Sequence, residues 1–319
     1  DVRYCVDLND FVFTPGDTIC YIIAADDGLG NWQYWSRRLD GQGATFVTDD
    51  LNEALGTPME FTILPAGGFL RGGDILYVDD SDDRGGPVQL FFDSSFDLLG
   101  IRDQVDRFDI QGPSSSVANS LASRVANFGV QIGNIYQKII WCSGNLSTAL
   151  IGDGTGNPEK SDDYGLLYQF VDTGVDNPGL YLSGDDIAEE WVTLAGAGAI
   201  NLRSVYMNFN LVDGNHVNAG EAVSPLLTAT GACFIELGVP DVLIAYGGCA
   251  LINDFDVLQA VGGSVTEFPY PGGSGDAVIS QTTPNSAASV ARIILSGFSY
   301  HYVRDAAAVY PPARVRHLE

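Results

Sequence analysis

The sequence predicts an α/β fold, with a mainly parallel sheet covered by helices on both faces from residue 74 onward and a small β module before it. Three observations carry this. After Asp74, short apolar runs bounded by turn residues alternate with amphipathic segments, at the spacing of β-α-β crossovers. The apolar runs are nearly continuous rather than alternating, as in strands buried on both faces. Residues 1–66 instead show an alternating apolar run, a Gly/Asn/Asp turn cluster and a second aromatic run, a hairpin signature.

In chain order, "DTICYIIAADDGLGNWQYWSR" (17–37) reads as two strands joined by a tight turn. The Y-x-A-x-D-x-x-G-N pattern resembles the last strands of an immunoglobulin-like or fibronectin-like module. Such a sandwich needs about 100 residues, so 1–66 is a small or truncated module. The Gly-rich stretch 67–73 is a linker, and the α/β domain is expected over 74–316. The last residues, 317–319, read as a remnant of a purification tag.

Within the domain, "DILYVDD" is the first strand, "VQLFFDSSFDLLG" a helix after Pro87, and "RFDIQG" the second strand. "PSSSVANSLASRVANFG" (113–129) reads as a Ser-capped helix closed by Gly. "YQKIIWCSG" is the third strand and "DDYGLLYQFVDTG" a capped helix. "GLYLSG" is the fourth strand, running into the helix "DDIAEEWVTLAG". "DVLIAYGG", "DAVISQTT" and "ARIILSGFSYHYV" add later strands, the last two antiparallel at a sheet edge. No period of 20 to 50 residues recurs, which excludes a solenoid.

Composition narrows the function. The chain has 319 residues, 45% of them apolar, enough for a sizeable core. It carries 41 acidic against 15 basic residues, a net charge of −26, and only two lysines. Such a surface repels nucleic acid and anionic lipid. The Asp surplus fits capping and turns as its main cause, with cation binding or a saline medium the functional alternative. No run approaches the roughly 20 apolar residues of a membrane span, so no membrane insertion is expected. Cysteines at 5, 20, 142, 233 and 249 suggest two local pairs, Cys5 with Cys20 and Cys233 with Cys249, which would fit export. The chain is expected to begin after processing or inside a longer protein.

The stretches "PGLYLSGD" and "GFSYHYV" carry a resemblance to the class I glutamine amidotransferase-like fold, over roughly 74–305. That family implies a flavodoxin-like three-layer sandwich, with a nucleophile on a tight elbow where Ser183 stands and a catalytic imidazole where His301 stands. Ser183 replaces the family's Cys, Asp185 replaces its second elbow glycine, and Val303 replaces the carboxylate that orients the imidazole. Glutamine hydrolysis therefore does not carry over. The chain is also similar to such domains set beside immunoglobulin-like modules in large secreted bacterial proteins, which implies an extracellular location and other domains of the same chain as partners.

A serine hydrolase needs a hydroxyl, an imidazole base, a group holding that base, and N–H donors for the oxyanion. Ser183, His301 and either Asp305 or an acid near Asp79 are the candidates, with Gly184 at the turn and Asp185 beside it. The alternative for Ser183 is a small residue at a crowded turn, with Asp185 or Asp186 capping the helix that follows. Cys142, a lone thiol at a strand end, and His216, in the turn-rich loop "VDGNHVNAG", are further candidates. Their plainer readings are a buried small residue and an exposed loop residue. Asp79, Asp80 and Asp186 form an acidic rim at strand ends, where open α/β sheets bind ligands. Asp79 and Asp80, or Asp153 and Asp162 in "DGTGNPEKSDD", could hold a metal, with calcium the ion their oxygens suit. No other cofactor is indicated: the glycines at 152, 154 and 156 follow a polar loop rather than a strand. "NLS" at 145–147 matches a glycosylation acceptor. Three functions stay open: an exported hydrolase of an ester, amide or glycosidic bond; a noncatalytic binding or structural module; and a carboxylate-centred, calcium-using enzyme.

Overall fold

The computed structural model describes residues 17–37, 45–64, 74–81, 88–110, 120–148, 150–155, 161–173, 177–216, 225–236, 242–244, 255–305 and 313–318. The chain divides into two units, 1–71 and 72–319. The expected linker, 67–73, lies outside the described residues.

The first unit holds β1 (Thr18–Tyr21), β2 (Ile23–Asp26), β3 (Trp32–Arg37), β4 (Thr45–Thr48), α1 (Leu51–Gly56) and β5 (Met59–Thr62). The expected hairpin is β2–β3, extended by β4. Its turn is fixed by the Asp27 carboxylate, which accepts the N–H groups of Leu29 and Asn31, while Gly28 and Gly30 supply positive φ. β1 does not join this hairpin and pairs with β5 in a separate two-stranded sheet. Asp50 caps α1, accepting the N–H groups of Asn52 and Glu53.

The second unit runs β6 (Ile75–Asp79), α2 (Val88–Leu99), β7 (Val105–Asp109), α3 (Leu121–Arg124), β8 (Lys138–Gly144), α4 (Asp163–Thr173), β9 (Gly179–Gly184), α5 (Ile187–Thr193) and α6 (Ala197–Asn201). It continues with β10 (Phe209–Asp213), β11 (Leu226–Leu227), α7 (Ala232–Glu236), β12 (Val242–Ile244), β13 (Val257–Ala260), β14 (Val265–Pro269), β15 (Asp276–Pro284), β16 (Val290–Ser296), β17 (Val303–Asp305) and α8 (Ala313–Arg316). The result is a mixed α/β domain built on a nine-stranded sheet, in the order β10-β13-β15-β16-β9-β8-β6-β7, with β14 on β15. β7, β6, β8, β9 and β16 are mutually parallel, and the remaining pairings are antiparallel.

β6, β8 and β9 are buried on both faces, as their continuous apolar runs require, while β7 at the sheet edge is half exposed. On one face Tyr77, Ile140 and Tyr181 pack with Phe92 and Phe96 of α2, and the Tyr77 and Phe92 rings lie 4.4 Å apart. On the other, Leu76, Val78, Trp141 and Leu182 are wholly shielded, and Tyr164 of α4 stacks on Trp191 of α5 at 4.9 Å.

Three expectations change. β15 and β16 are antiparallel, but β16 is an interior strand between β9 and β15, because β10 and β13 extend the sheet beyond them. The strand in "DVLIAYGG" is β12, which joins β11 and β17 in a separate three-stranded sheet. The helix expected over 113–129 is described only as the single turn α3, followed by a wide turn at Gly129–Gly133. Asp163, at the start of α4, accepts the Ala122 N–H at 2.6 Å and ties α3 to that helix.

Candidate functional site

Register places four residues side by side on the α2 face at the carboxyl ends of β6, β8, β9 and β16: Asp79, Cys142, Ser183 and Ser296. Asp79 is 3% exposed and the other three are fully buried. The strand order turns at β6, with β7 on one side and β8 on the other, and ligands of open α/β sheets bind outside such strand ends.

Here the segment 297–302 covers the row. β16 stops at Ser296, and Gly297 turns the chain where an added Cβ would collide with the Asp256 carbonyl. Ser183 Oγ donates to the Phe298 carbonyl at 3.1 Å and accepts the Tyr300 N–H at 2.7 Å. Ser296 Oγ donates to the same carbonyl at 2.8 Å. The elbow serine is therefore a dock for the loop that follows β16. The Ser183 hydroxyl makes its hydrogen bonds to this loop's backbone and none to His301, the base expected beside it.

His301 lies in a one-turn helix, Tyr300–Tyr302, rather than at a strand end. Its Nδ1 is 2.7 Å from Ser299 Oγ, which is 3.5 Å from Cys142 Sγ. Thiol, hydroxyl and imidazole thus form a buried chain. Burial, helped by the charges of Arg314 and Arg304, lowers the His301 pKa to about 4, so the ring is neutral at pH 7. Burial pushes the Cys142 thiol up to about 12, the opposite of an activated nucleophile.

The acids at the strand ends also have structural partners. Asp79 accepts both the N–H and the hydroxyl of Ser81, and Asp80 accepts the Trp141 indole N–H at 3.3 Å. Asp185 accepts the Ser299 N–H at 3.0 Å. Gly184 has no room for a Cβ, which would overlap the Ser143 hydroxyl. Asp305 ends β17, which pairs with β12 and not with the nine-stranded sheet. His216 is not an exposed loop residue: it is 6% exposed, with its ring stacked 4.0 Å from that of Tyr270.

Of the expected calcium ligands, Asp153 accepts the N–H groups of Ala195 and Gly196, just ahead of α6, and the N–H and hydroxyl of Thr155. Asp162 accepts the Gly165 N–H at the start of α4. Among the described residues no group of three or more His, Cys, Asp or Glu side chains comes together to hold a metal ion. Cys5 and Cys249, the partners expected for Cys20 and Cys233, lie outside the described residues. No described helix is long and apolar enough to cross a membrane.

Two residues that matter here were not singled out from the sequence. Ser299 stands in "GFSYHYV", where alternation reads as a strand and hides a hydroxyl facing the imidazole two residues on. Asp256 supplies the cap of α5 that was expected from Asp185 or Asp186: its carboxylate accepts the N–H groups of Ala188 at 2.6 Å and Glu189 at 3.2 Å. Burial pushes this carboxyl up to about 9, against the lowering effect of those two donors. No family model matches the chain, and no curated protein matches it.

Proposed function

We infer that the chain is a noncatalytic binding or structural module of a larger exported protein, with an amidotransferase-like three-layer domain whose elbow survives as architecture. The carrying observation is the use of Ser183: fully buried, its hydroxyl both donates to and accepts from the backbone of 298–300. A nucleophile needs a base and an approach, and this hydroxyl has neither. The parallel order β7-β6-β8-β9-β16, which is second, first, third, fourth and fifth in sequence, supports the flavodoxin-like reading of the fold. The acidic composition and the paired spacing of four cysteines support export.

One observation favours a second reading, an exported hydrolase. Ser299 Oγ and His301 Nδ1 are 2.7 Å apart, within the reach required of a nucleophile and its base. In that reading Ser299, not Ser183, attacks an ester, amide or glycosidic centre and His301 takes its proton.

A screen of chromogenic ester, peptide and glycoside substrates, run on wild type, Ser183→Ala and Ser299→Ala, separates the two. The module reading expects no turnover above buffer by any of the three. Turnover by wild type that disappears in Ser299→Ala and persists in folded Ser183→Ala would replace it with the hydrolase.

A further inference from the structure

At the opposite, amino ends of the parallel strands lies a cavity of about 670 Å³, in the range of small-molecule sites, about 300–1,000 Å³. Its position follows from register. The first row on the α2 face is Ile75, Lys138, Gly179 and Arg292; the next is Tyr77, Ile140, Tyr181 and Ile294. The cavity therefore has an apolar floor and a rim carrying two cations, with Phe234 of α7 in its wall.

Three observations point to a ligand and to its charge. Gly179 stands between the two cations, and a Cβ there would strike the Lys138 side chain, so the glycine leaves Lys138 room over β9 on the Arg292 side. Neither cation forms an ion pair among the described residues, in a chain with 41 acids and only two lysines. His317, in the stretch that reads from sequence as a tag remnant, packs into the wall, 5% exposed, with Nε2 3.0 Å from the Tyr181 hydroxyl and Nδ1 without a hydrogen-bond partner among the described residues. A buried polar atom left unsatisfied is costly unless something fills the place of its partner.

We propose that this cavity binds a small amphipathic carboxylate, its apolar body on Ile75, Ile140 and Ile294 and its anionic head between Lys138 and Arg292. Partial burial of its side chain, and then the like charge of Arg292, lower the Lys138 pKa against the opposing effect of Asp74, and an anion between the two cations relieves their repulsion. The site is separate from the strand ends discussed above and does not depend on which reading of them holds.

Decanoate is the probe, with decanol and decyltrimethylammonium as head-group controls, all below their aggregation limits. Isoleucine methyl NMR on the full chain should show saturable binding of one decanoate, shifting the Ile75, Ile140 and Ile294 methyls while leaving Ile187 of α5 in place. Affinity should fall at least tenfold for decanol, for the cationic analogue and for the Lys138→Glu/Arg292→Glu variant. Both substituted side chains are exposed, and the head-group comparison on wild type decides the matter if the variant fails to fold. Absence of saturable binding, shifts elsewhere, or equal affinity for decanol and decanoate would overturn the proposal.

Discussion

The docking role of Ser183 predicts a specific pattern of coupling with Ser296. Both hydroxyls donate to the Phe298 carbonyl, and Ser183 alone also accepts the Tyr300 N–H. Ser296→Ala leaves the carbonyl with one donor, so the loss is that of a single hydrogen bond, about 0.5–1.5 kcal/mol. Ser183→Ala leaves the buried Tyr300 N–H without an acceptor, a larger loss of about 1–3 kcal/mol. The double variant strips the carbonyl of both donors, so its loss should exceed the sum of the singles by about 1 kcal/mol. Urea unfolding measures this, read from the buried Trp141 and Trp191 in a background where Trp32 and Trp35 of the first unit are Phe. With a slope near 3 kcal/mol per molar, a loss of about 2 kcal/mol moves the midpoint by about 0.7 M. A Ser183→Ala midpoint equal to that of the parent, or losses that add within about 0.3 kcal/mol, would refute the shared-acceptor geometry.

Acid should weaken the domain through His301 and His317, both lowered to about 4 by burial. Because the folded forms hold protons less well than the unfolded chain, the stability they contribute is complete above pH 6.5. It declines as pH falls toward 4, by up to about 3 kcal/mol per residue. Imidazole NMR signals titrating near 6.5 would contradict this. Asp256→Ala should cost about 1–2 kcal/mol by uncapping α5. Amide exchange would show it as faster exchange at Ala188 and Glu189. Gly198→Ala should destabilise by about 1–3 kcal/mol, since the new Cβ meets the backbone of Tyr164 and Gly165, which cannot rotate away; a thermal melt compares it with wild type. Cys142 should resist iodoacetamide in the native protein at pH 8 and react once urea unfolds it, as mass spectrometry of the modified peptide would record.

β6, β8 and β9 were legible because each is an apolar run closed by turn residues, and α2 and α4 because their apolar spacing and flanking breakers agree. The antiparallel extension was less visible. β10, "FNLVD", is short and largely exposed, and nothing local marks it as the end of a large sheet. At the strand ends, sequence paired Ser183 with His301, whereas in the structure Ser183 bonds the backbone of 298–300 and His301 Nδ1 meets Ser299 Oγ. "GFSYHYV" alternates like a strand, and only the approach of the Asp256 carbonyl to Gly297 shows why the chain turns there. That turn removes His301 from the strand and hands its Nδ1 to Ser299. The cap of α5 by Asp256 was out of reach, because its donor and acceptor lie 68 residues apart. Asp153 and Asp162 looked like ion ligands because a carboxylate that holds backbone N–H groups has the same spacing signature as one that holds a cation.

β16 sits in the middle of the sheet yet is translated about a hundred residues after its parallel neighbour β9. Until those late residues leave the ribosome, the emerging chain carries an apolar strand with one row of N–H and C=O groups unclaimed. That is the type of edge on which nascent proteins associate. Fragments ending before Val290 should therefore be captured by holdase chaperones or accumulate as insoluble material, and synthesis of this domain becomes committed to native structure only in its final stretch.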